Sequence, residues 1–280
     1  MRLDGNQMIA LIDGDICIYR VGFTTENDDE WIAKARLDEM VEGILADTGA
    51  TEYQFWLSDK TQNNFRTRYY PEYKANRKDF VLPKHYDALK IYALENWDAQ
   101  IAIEQEADDA LGICQTQWRI SNERETIICS IDKDLHQIPG HHFNFVKKEF
   151  KDVTYTEGKR HFYFQLLKGD TSDNIQGCPG IGDVKANKIL GEESEEVSLF
   201  QRVLAGYLGQ YRDKIYKTKE LSEGQIEFVT KQLLVNGICL KIRQQEEEVW
   251  KFPELKQIPE LKLSSITPPQ VEQLQSTEHI

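Results

Sequence analysis

The stretch LLKGDTSDNIQGCPGIGDVKANKIL (residues 166–190) combines two features that normally oppose each other. Its second half is a glycine-rich turn before a helical run, in which Gly180 and Gly182 allow backbone N–H groups to approach an anion. Its first half carries Asp170 and Asp173, whose charges repel a phosphate. A divalent cation would resolve the conflict, because the carboxylates can hold a metal that contacts phosphate while the turn holds the backbone nearby.

Four short apolar runs elsewhere in the chain end in acidic residues. The runs are MIALID (8–13), YQFWLSD (53–59), AQIAIEQEADD (99–109) and TIICSIDKD (126–134), and their acids are Asp13, Asp59, Glu106, Asp108, Asp109, Asp132 and Asp134. Such runs, separated by helical stretches, predict buried parallel strands, and ligands bind beyond the carboxyl ends of such strands. A single Asp there is usually a turn former or a helix cap. Four strands with acids predict one acidic cluster at the edge of the sheet.

Clustered carboxylates need cations. Two of them about 5 Å apart at an effective dielectric constant of about 20 repel by roughly 3 kcal/mol. Oxygen ligands without His or Cys select hard ions such as Mg²⁺ or Mn²⁺. The six histidines form no zinc motif, and the pair His141-His142 is predicted to lie in a surface loop. Two such ions suit phosphodiester hydrolysis.

Helices are predicted between and after the strands. The expected helices cover residues 24–49, the stretch after Asp109, and residues 182–190, 197–216 and 222–235. Ser222 with Gln225 fits a capping box at the start of the last one. The final forty residues, rich in prolines and charges, predict a loosely packed or partly disordered tail that could dock to a partner.

The net charge of −13 argues by itself against nucleic-acid binding. Between residues 64 and 90, however, seven basic residues stand against three acids, interleaved with six Phe and Tyr residues. Basic residues among aromatic ones suit a single nucleic-acid strand, because the rings stack on bases. An exposed amphipathic helix pair explains this segment about equally well.

Cysteine usage and hydropathy suggest a cytosolic protein. Five widely spaced cysteines without a CxxC motif predict reduced thiols. No run approaches the roughly 18 apolar residues of a membrane span, and the acidic N-terminal stretch does not resemble a signal peptide. We therefore expect a cytoplasmic protein.

Four segments together resemble the 5′ nucleases of the flap endonuclease superfamily. They are FRTRYYPEYKANRK (65–78), QEADDALG (105–112), SIDKDLHQIPG (130–140) and KGDTSDNIQGCPGIGDVKANKIL (168–190). The superfamily includes phage 5′–3′ exonucleases and the 5′-nuclease domains of bacterial DNA polymerases, and the chain looks most like the small stand-alone phage enzymes. The resemblance implies an α/β fold with a mostly parallel, PIN-like sheet flanked by helices. The implied domains are a catalytic domain (1–165) with a helical arch (about 62–98), a DNA-binding subdomain (166–240) with a helix-hairpin-helix turn and a helix-three-turn-helix, and a tail (241–280).

The resemblance also implies residue roles. Glu106, Asp108, Asp109 and Asp132 would hold a first Mg²⁺, with Asp13 and Asp59 close by, and Asp134, Asp170 and Asp173 would complete a second site; Mn²⁺ could substitute. Lys74, Arg77 and Asp132 would be catalytic. The side chains of Lys74 and Arg77 would contact the scissile phosphate. Further DNA contacts would come from Tyr73, which would stack on a nucleobase, and from Lys78, Gly180, Gly182 and Lys185. The hairpin turn could bind K⁺ through its carbonyls.

Two positions depart from the pattern of the superfamily. Asp15 adds an acid where many members are neutral, and it could support a metal ligand or cap a helix. Val184 stands where many members have a lysine, which here moves to Lys185.

The resemblance implies a monomeric 5′–3′ exonuclease or flap endonuclease that gives 5′-phosphate products in DNA replication, primer removal or DNA degradation. Its substrates would be DNA with a 5′ end, a nick or a flap, and RNA–DNA hybrids, and the tail could contact replication proteins. Two alternatives remain open: a non-catalytic binder of branched DNA, and a related ribonuclease.

Overall fold

The computed structural model describes residues 8–78, 80–122 and 124–253. The chain divides into two compact units. Within the described residues, unit 1 comprises 8–64, 76–162 and 241–249, and unit 2 comprises 65–75, 163–240 and 250–253.

Unit 1 is built on a mostly parallel sheet, as the sequence predicts. Its strands in the described part of the chain are β1 (Met8–Asp13), β2 (Glu52–Ser58), β3 (Gln100–Ala102), β4 (Glu125–Cys129), β5 (Gly140–Asn144) and β6 (Glu149–Val153). They lie in the order β3-β2-β1-β4-β5-β6. Every neighbouring pair is parallel except β5 and β6. The carboxyl ends of β1 to β5 therefore share one edge.

Helices cover both faces of this sheet. They are α1 (Gly14–Thr24), α2 (Glu30–Thr48), α4 (Tyr86–Asn96) and α5 (Ala107–Ser121). Successive residues of β1 point to opposite faces, so Ala10 and Ile12 enter a core with α1, α2 and α4, while Ile9 and Leu11 pack with Leu111 of α5. This two-sided burial explains the uninterrupted apolar run of β1.

The predicted end of the helix over residues 24–49 is confirmed, since α2 ends before Gly49, whose φ of 68° closes the helix in the left-handed conformation, but the helix begins only at Glu30. The predicted third strand is shorter than the apolar run suggests, because a turn follows Ala102 and α5 begins at Ala107.

The surface-loop prediction for His141-His142 is wrong. Both residues belong to β5, and His142 is buried with a hydrogen bond of 2.8 Å to the Ile138 carbonyl oxygen.

Unit 2 is helical. It contains α3 (Arg66–Tyr69), α7 (Asp183–Leu190), α8 (Glu196–Gln210) with a π-helical extension (Tyr211–Tyr216), and α9 (Glu223–Leu240). A further helix, α6 (Tyr155–Lys168), begins in unit 1 and ends in unit 2. The capping box is confirmed: the Ser222 N–H donates to Gln225 Oε1 (3.0 Å), and the Gln225 N–H donates to Ser222 Oγ (3.4 Å).

Residues 241–253 are packed, not loose as the composition of the last forty residues suggests. Ile242 joins the core beneath α5, and Trp250 is buried against Gly237. The rest of the predicted tail, residues 254–280, lies outside the described residues.

All five cysteines are free thiols, as expected. Within the described ranges, no helix is both long and apolar enough to cross a membrane.

Candidate active site

The carboxyl edge of the unit 1 sheet collects the acids that the sequence places after its strands. Asp13 is the last residue of β1, and Asp59 directly follows β2. Glu106 is the N-cap of α5, which follows β3, and Asp132 lies three residues beyond β4. Because these strands are parallel neighbours, the topology delivers all four segments to the same edge.

Asp13 lies at the buried centre of this edge, with an exposed fraction of 2%. Its Oδ2 accepts a hydrogen bond from the Ser130 hydroxyl (2.6 Å), and its Oδ1 accepts the Ile16 N–H (3.2 Å) at the start of α1. Burial, together with the charges of Asp15 and Asp132, raises its pKa from 3.8 to about 7, although these hydrogen bonds lower it. Asp13 therefore sits among carboxylates that repel it.

Ser130 connects Asp13 to the loop that carries the next two acids. The Asp132 N–H donates to Ser130 Oγ (3.0 Å), and the Asp134 N–H donates to Asp132 Oδ1 (2.8 Å). One hydroxyl thus fixes the end of β1 against the loop after β4.

Asp15 joins a second strand end to this edge. Its Oδ2 accepts the Ser58 N–H (3.0 Å), and Ser58 Oγ accepts the Ala107 N–H (2.9 Å) at the first residue of α5. Burial raises the pKa of Asp15, which Ser58 and the charge of Lys90 partly oppose, while the charge of Glu106 adds to the rise. The extra acid in the DGD sequence therefore positions β2 and α5.

Asp109 is fully buried and holds backbone with both oxygens. Its Oδ2 accepts the Glu106 N–H (3.1 Å) in a capping box, and its Oδ1 accepts the Arg243 N–H (3.0 Å). Asp108 lies half-buried in the first turn of α5.

Asp59 has a different environment. Its Oδ2 accepts the Glu104 N–H (3.0 Å), and its Oδ1 accepts the N–H of Lys60 (2.7 Å) and the amide of Asn63 (3.1 Å). The Glu104 N–H is the main reason that its pKa is lowered. Asp59 is therefore a stable anion that ties two loops together.

Unit 2 carries the other two predicted metal ligands on one tight loop. Asp170 Oδ1 accepts the N–H (2.8 Å) and the hydroxyl (2.7 Å) of Ser172. Asp173 Oδ2 accepts the Tyr73 hydroxyl (3.0 Å) and lies 3.6 Å from Lys74 Nζ. Within the described residues, no group of three or more His, Cys, Asp or Glu side chains converges closely enough to hold a metal ion.

The predicted DNA-contact residues fall into two environments. Tyr73, predicted to stack on a base, is 3% exposed and holds Asp173 instead of presenting its ring to solvent. Arg77 and Lys78 are exposed.

In the hairpin, Gly180 has a φ of 69°, which explains the glycine, and Gly182 caps α7. The Lys185 ammonium donates to the Gly180 carbonyl (3.0 Å).

Comparison with known proteins identifies the family. The model described as "5′-3′ exonuclease, N-terminal resolvase-like domain" matches residues 8–163, more than half of the chain. The chain belongs to the 5′–3′ exonuclease family. This family assignment agrees with the resemblance that the sequence motifs show.

Relatives in the family include both exonucleases and a flap endonuclease. A 5′–3′ exonuclease of Halalkalibacterium halodurans is 28% identical over 158 residues, covering 51% of this chain and 52% of that protein. The flap endonuclease Xni of Shewanella woodyi is 31% identical over 183 residues, covering 61% of this chain and 68% of that protein. The chain thus matches only about half the length of the first of these relatives.

Solved structures share the fold. The T5 D15 protein co-crystallised with metal ions has a TM-score of 0.57 at 14% identity, covering 83% of this chain and 91% of that one. A complex of the T5 D15 flap endonuclease with DNA and metal ions has a TM-score of 0.52 at 17% identity, covering 82% and 99%.

Sequence reasoning missed the groups that position the acids. Ser58 directly precedes Asp59, and Ser130 lies two residues before Asp132, so their closeness in sequence to predicted acids is the one available signal. Arg243 had none, because its bond to Asp109 joins residues 134 positions apart.

Proposed function

We propose that this chain is a metal-dependent 5′ nuclease. It would hydrolyse phosphodiesters of DNA, and of RNA–DNA hybrids, from 5′ ends, nicks or flaps to give 5′-phosphate products, in DNA replication, primer removal or DNA degradation. The observation that carries the proposal is the buried Asp13 at the meeting point of the acidic strand ends, with a pKa raised to about 7. Buried carboxylates that repel each other are costly unless a cation fills the site.

The chemistry of the residues fits a hard divalent cation. The groups gathered at the edge offer carboxylate oxygens, which suit Mg²⁺ and Mn²⁺. The ligands that we propose for a first ion are Glu106, Asp108, Asp109 and Asp132, with Asp13 and Asp59 beside them. For a second ion we propose Asp134, Asp170 and Asp173, by resemblance alone. When bound, two such ions supply Lewis acidity and charge stabilisation for phosphodiester cleavage.

The chain's own residues would prepare this edge for a cation. Ser130 donates to Asp13 and accepts from the Asp132 N–H, so it sets the spacing of the two carboxylates. Asp15 holds the end of β2, and through Ser58 the start of α5, where Glu106 lies. Such supporting hydrogen bonds orient ligands before the metal arrives.

Lys74 and Arg77 are proposed to contact the scissile phosphate, and Lys78 a neighbouring one, because cations stabilise the charge that develops during phosphoryl transfer. The hairpin would hold the duplex backbone through N–H groups near Gly180 and Gly182. We leave K⁺ out of the proposal, because the Lys185 ammonium already binds the Gly180 carbonyl oxygen.

The test uses 5′-overhang, nicked and flapped duplexes, labelled separately at each end. Short products released from the 5′ end in Mg²⁺, and absent in EDTA, support the proposal. The variant Asp132→Asn/Asp134→Asn should abolish this cleavage and weaken Mn²⁺ binding measured by titration calorimetry.

The matched control is Asp47→Asn/Asp152→Asn, which removes the same charge at sites outside the acidic edge. It should cleave like the wild type. Structure-selective DNA binding without cleavage in either metal would overturn the proposal in favour of a non-catalytic binder.

A further inference from the structure

The carboxyl edge of the unit 1 sheet changes sign along its length. The half formed by β3, β2, β1 and β4 carries the acids described above. Beyond β4, the strand β5 ends at Asn144 on the same edge, a turn follows, and β6 starts back from Glu149. This β5–β6 turn and the strand after it bring Lys147 and Lys151 beside the loop of Asp132.

A cleft of about 110 Å³ lies where the two halves meet. Its lining residues are Ser130, Ile131, Asp132, Lys133, His136, His142, Asn144, Lys147, Glu149 and Lys151. It is much smaller than the roughly 300–1,000 Å³ of pockets that enclose drug-sized ligands. The size suits a single small group, not a nucleobase with its sugar.

Three ammonium groups line this cleft, against two carboxylates. Lys133, Lys147 and Lys151 have no carboxylate within ion-pair distance among the described residues. Lys151 Nζ instead lies 3.4 Å from His136 Nδ1. By contrast, the neighbouring Lys148 is paired with Asp47. The lysines of the cleft are thus available to an anion.

Asn144 adds a polar group to the wall of the cleft. Its Oδ1 accepts the N–H of Val146 (3.2 Å) and of Lys147 (2.9 Å), which fixes the turn that carries Lys147. The side-chain NH₂ of the same residue is a donor. The turn therefore presents its lysine from an ordered backbone.

We propose that this cleft binds a phosphate group of a nucleic-acid strand next to the acidic edge, through Lys147 and Lys151. A phosphate group is a small anion, and lysine binds it as a point charge. That the phosphate belongs to a DNA strand rests on the proposed nuclease function. A strand held here would place its next phosphodiester linkages along the edge toward Asp132. The basic half of the edge would thus position the linkages that the acidic half cleaves.

The experiment compares Lys147→Gln/Lys151→Gln with the control Lys34→Gln/Lys148→Gln. Both variants remove two positive charges, but Lys34 and Lys148 are already paired with Glu30 and Asp47. DNA affinity is measured in EDTA by fluorescence anisotropy over a series of salt concentrations. The cleft variant should bind about tenfold more weakly, and the slope of log K against log salt should fall by about 1. The control should match the wild type in both.

A second arm distinguishes strand phosphate from free nucleotide. A deoxynucleoside 5′-monophosphate is titrated into each variant, and binding is followed through the backbone amide NMR signals of residues 144–151. A changed salt slope supports the strand phosphate. An unchanged slope with loss of mononucleotide binding assigns the cleft to free nucleotides and overturns the strand assignment. No difference between the two double variants in either arm overturns the cleft itself.

The outcome is separable from the nuclease proposal. If the wild type cleaves DNA in Mg²⁺ while the two double variants behave alike, the cleft proposal fails and the nuclease proposal stands. If the wild type does not cleave but the salt slope depends on Lys147 and Lys151, the phosphate cleft stands and the nuclease proposal fails. Unfolding in urea checks that each variant is folded.

Discussion

Lys74 Nζ lies 3.6 Å from Asp173 Oδ2, the same oxygen that accepts the Tyr73 hydroxyl at 3.0 Å. A backbone hydrogen bond joins the same two residues, because the Lys74 N–H donates to the Asp173 carbonyl (3.0 Å). Lys74 reaches this position with a φ of 57°, which is uncommon for a residue other than glycine. Two segments about a hundred positions apart are therefore held together around one carboxylate within unit 2.

The Tyr73 hydroxyl should contribute measurably to the stability of unit 2. We expect Tyr73→Phe to lower the free energy of unfolding by about 1–2 kcal/mol, because a mostly buried hydrogen bond to a carboxylate is lost while the ring remains. Urea unfolding measures this. Tyr69→Phe, which removes a hydroxyl without a hydrogen bond among the described residues, is the control and should change little. Equal stabilities of the two variants would contradict the role assigned to Tyr73.

Asp13 should make the metal-free protein less stable as the pH rises. Its pKa is raised from 3.8 to about 7, so between these values the folded state binds more protons than the unfolded state. This contribution is fully present below about pH 4 and is lost by about pH 7, with a total of roughly 4 kcal/mol. In EDTA, the difference in unfolding free energy between Asp13→Asn and the wild type should therefore grow with pH. The unfolding free energy of the control Asp47→Asn should depend on pH in the same way as that of the wild type.

His142 should act in the opposite direction. Burial lowers its pKa from 6.5 to about 4, so its contribution to stability is present above about pH 6.5 and is lost as the pH falls toward 4. The loss amounts to roughly 3 kcal/mol. The variant His142→Gln should be less sensitive to acid than the wild type, whereas His141→Gln, on the exposed side of the same strand, should not. A wild-type acid sensitivity that survives in His142→Gln would refute this account.

Much of the acidic edge follows from local sequence. An apolar run that ends in an acid indicates both the strand and the end at which its side chain emerges, so Asp13, Asp59 and Asp132 could be placed from residue order alone. The end of the helix predicted over 24–49 also follows from the sequence, because Gly49 marks it.

The parts that could not be predicted depend on distant partners. β5 reads GHHFN, which has no apolar run, and its burial becomes visible only when it pairs with β4. Ser130 and Arg243 act through residues more than a hundred positions away. The role assigned to Tyr73 by resemblance could not reveal its burial against Asp173.

The hairpin should not require K⁺. The Lys185 ammonium donates to the Gly180 carbonyl, so this carbonyl of the turn already has a cationic partner. Replacing KCl by NaCl at constant ionic strength should change DNA affinity by less than about twofold, because screening by the two salts is the same. In Lys185→Met, a preference for K⁺ should appear. Lys188→Met, on the same helix, serves as the control, and a K⁺ preference in the wild type would contradict the prediction.

Gly112 should be essential for the contact between α5 and the segment around Arg243. A Cβ there would lie 2.4 Å from the Arg243 carbonyl oxygen and 2.9 Å from Ile138 Cδ1, so either the helix or the segment must shift. We expect Gly112→Ala to lower the free energy of unfolding by about 1–3 kcal/mol or more. Because the Arg243 N–H binds Asp109 Oδ1, the shift should also weaken Mn²⁺ binding. Gly43→Ala in α2 meets no atom within 4 Å and should instead stabilise by about 0.5–1 kcal/mol. Urea unfolding of both variants decides the point, since similar changes in the two would mean that the contact does not constrain α5.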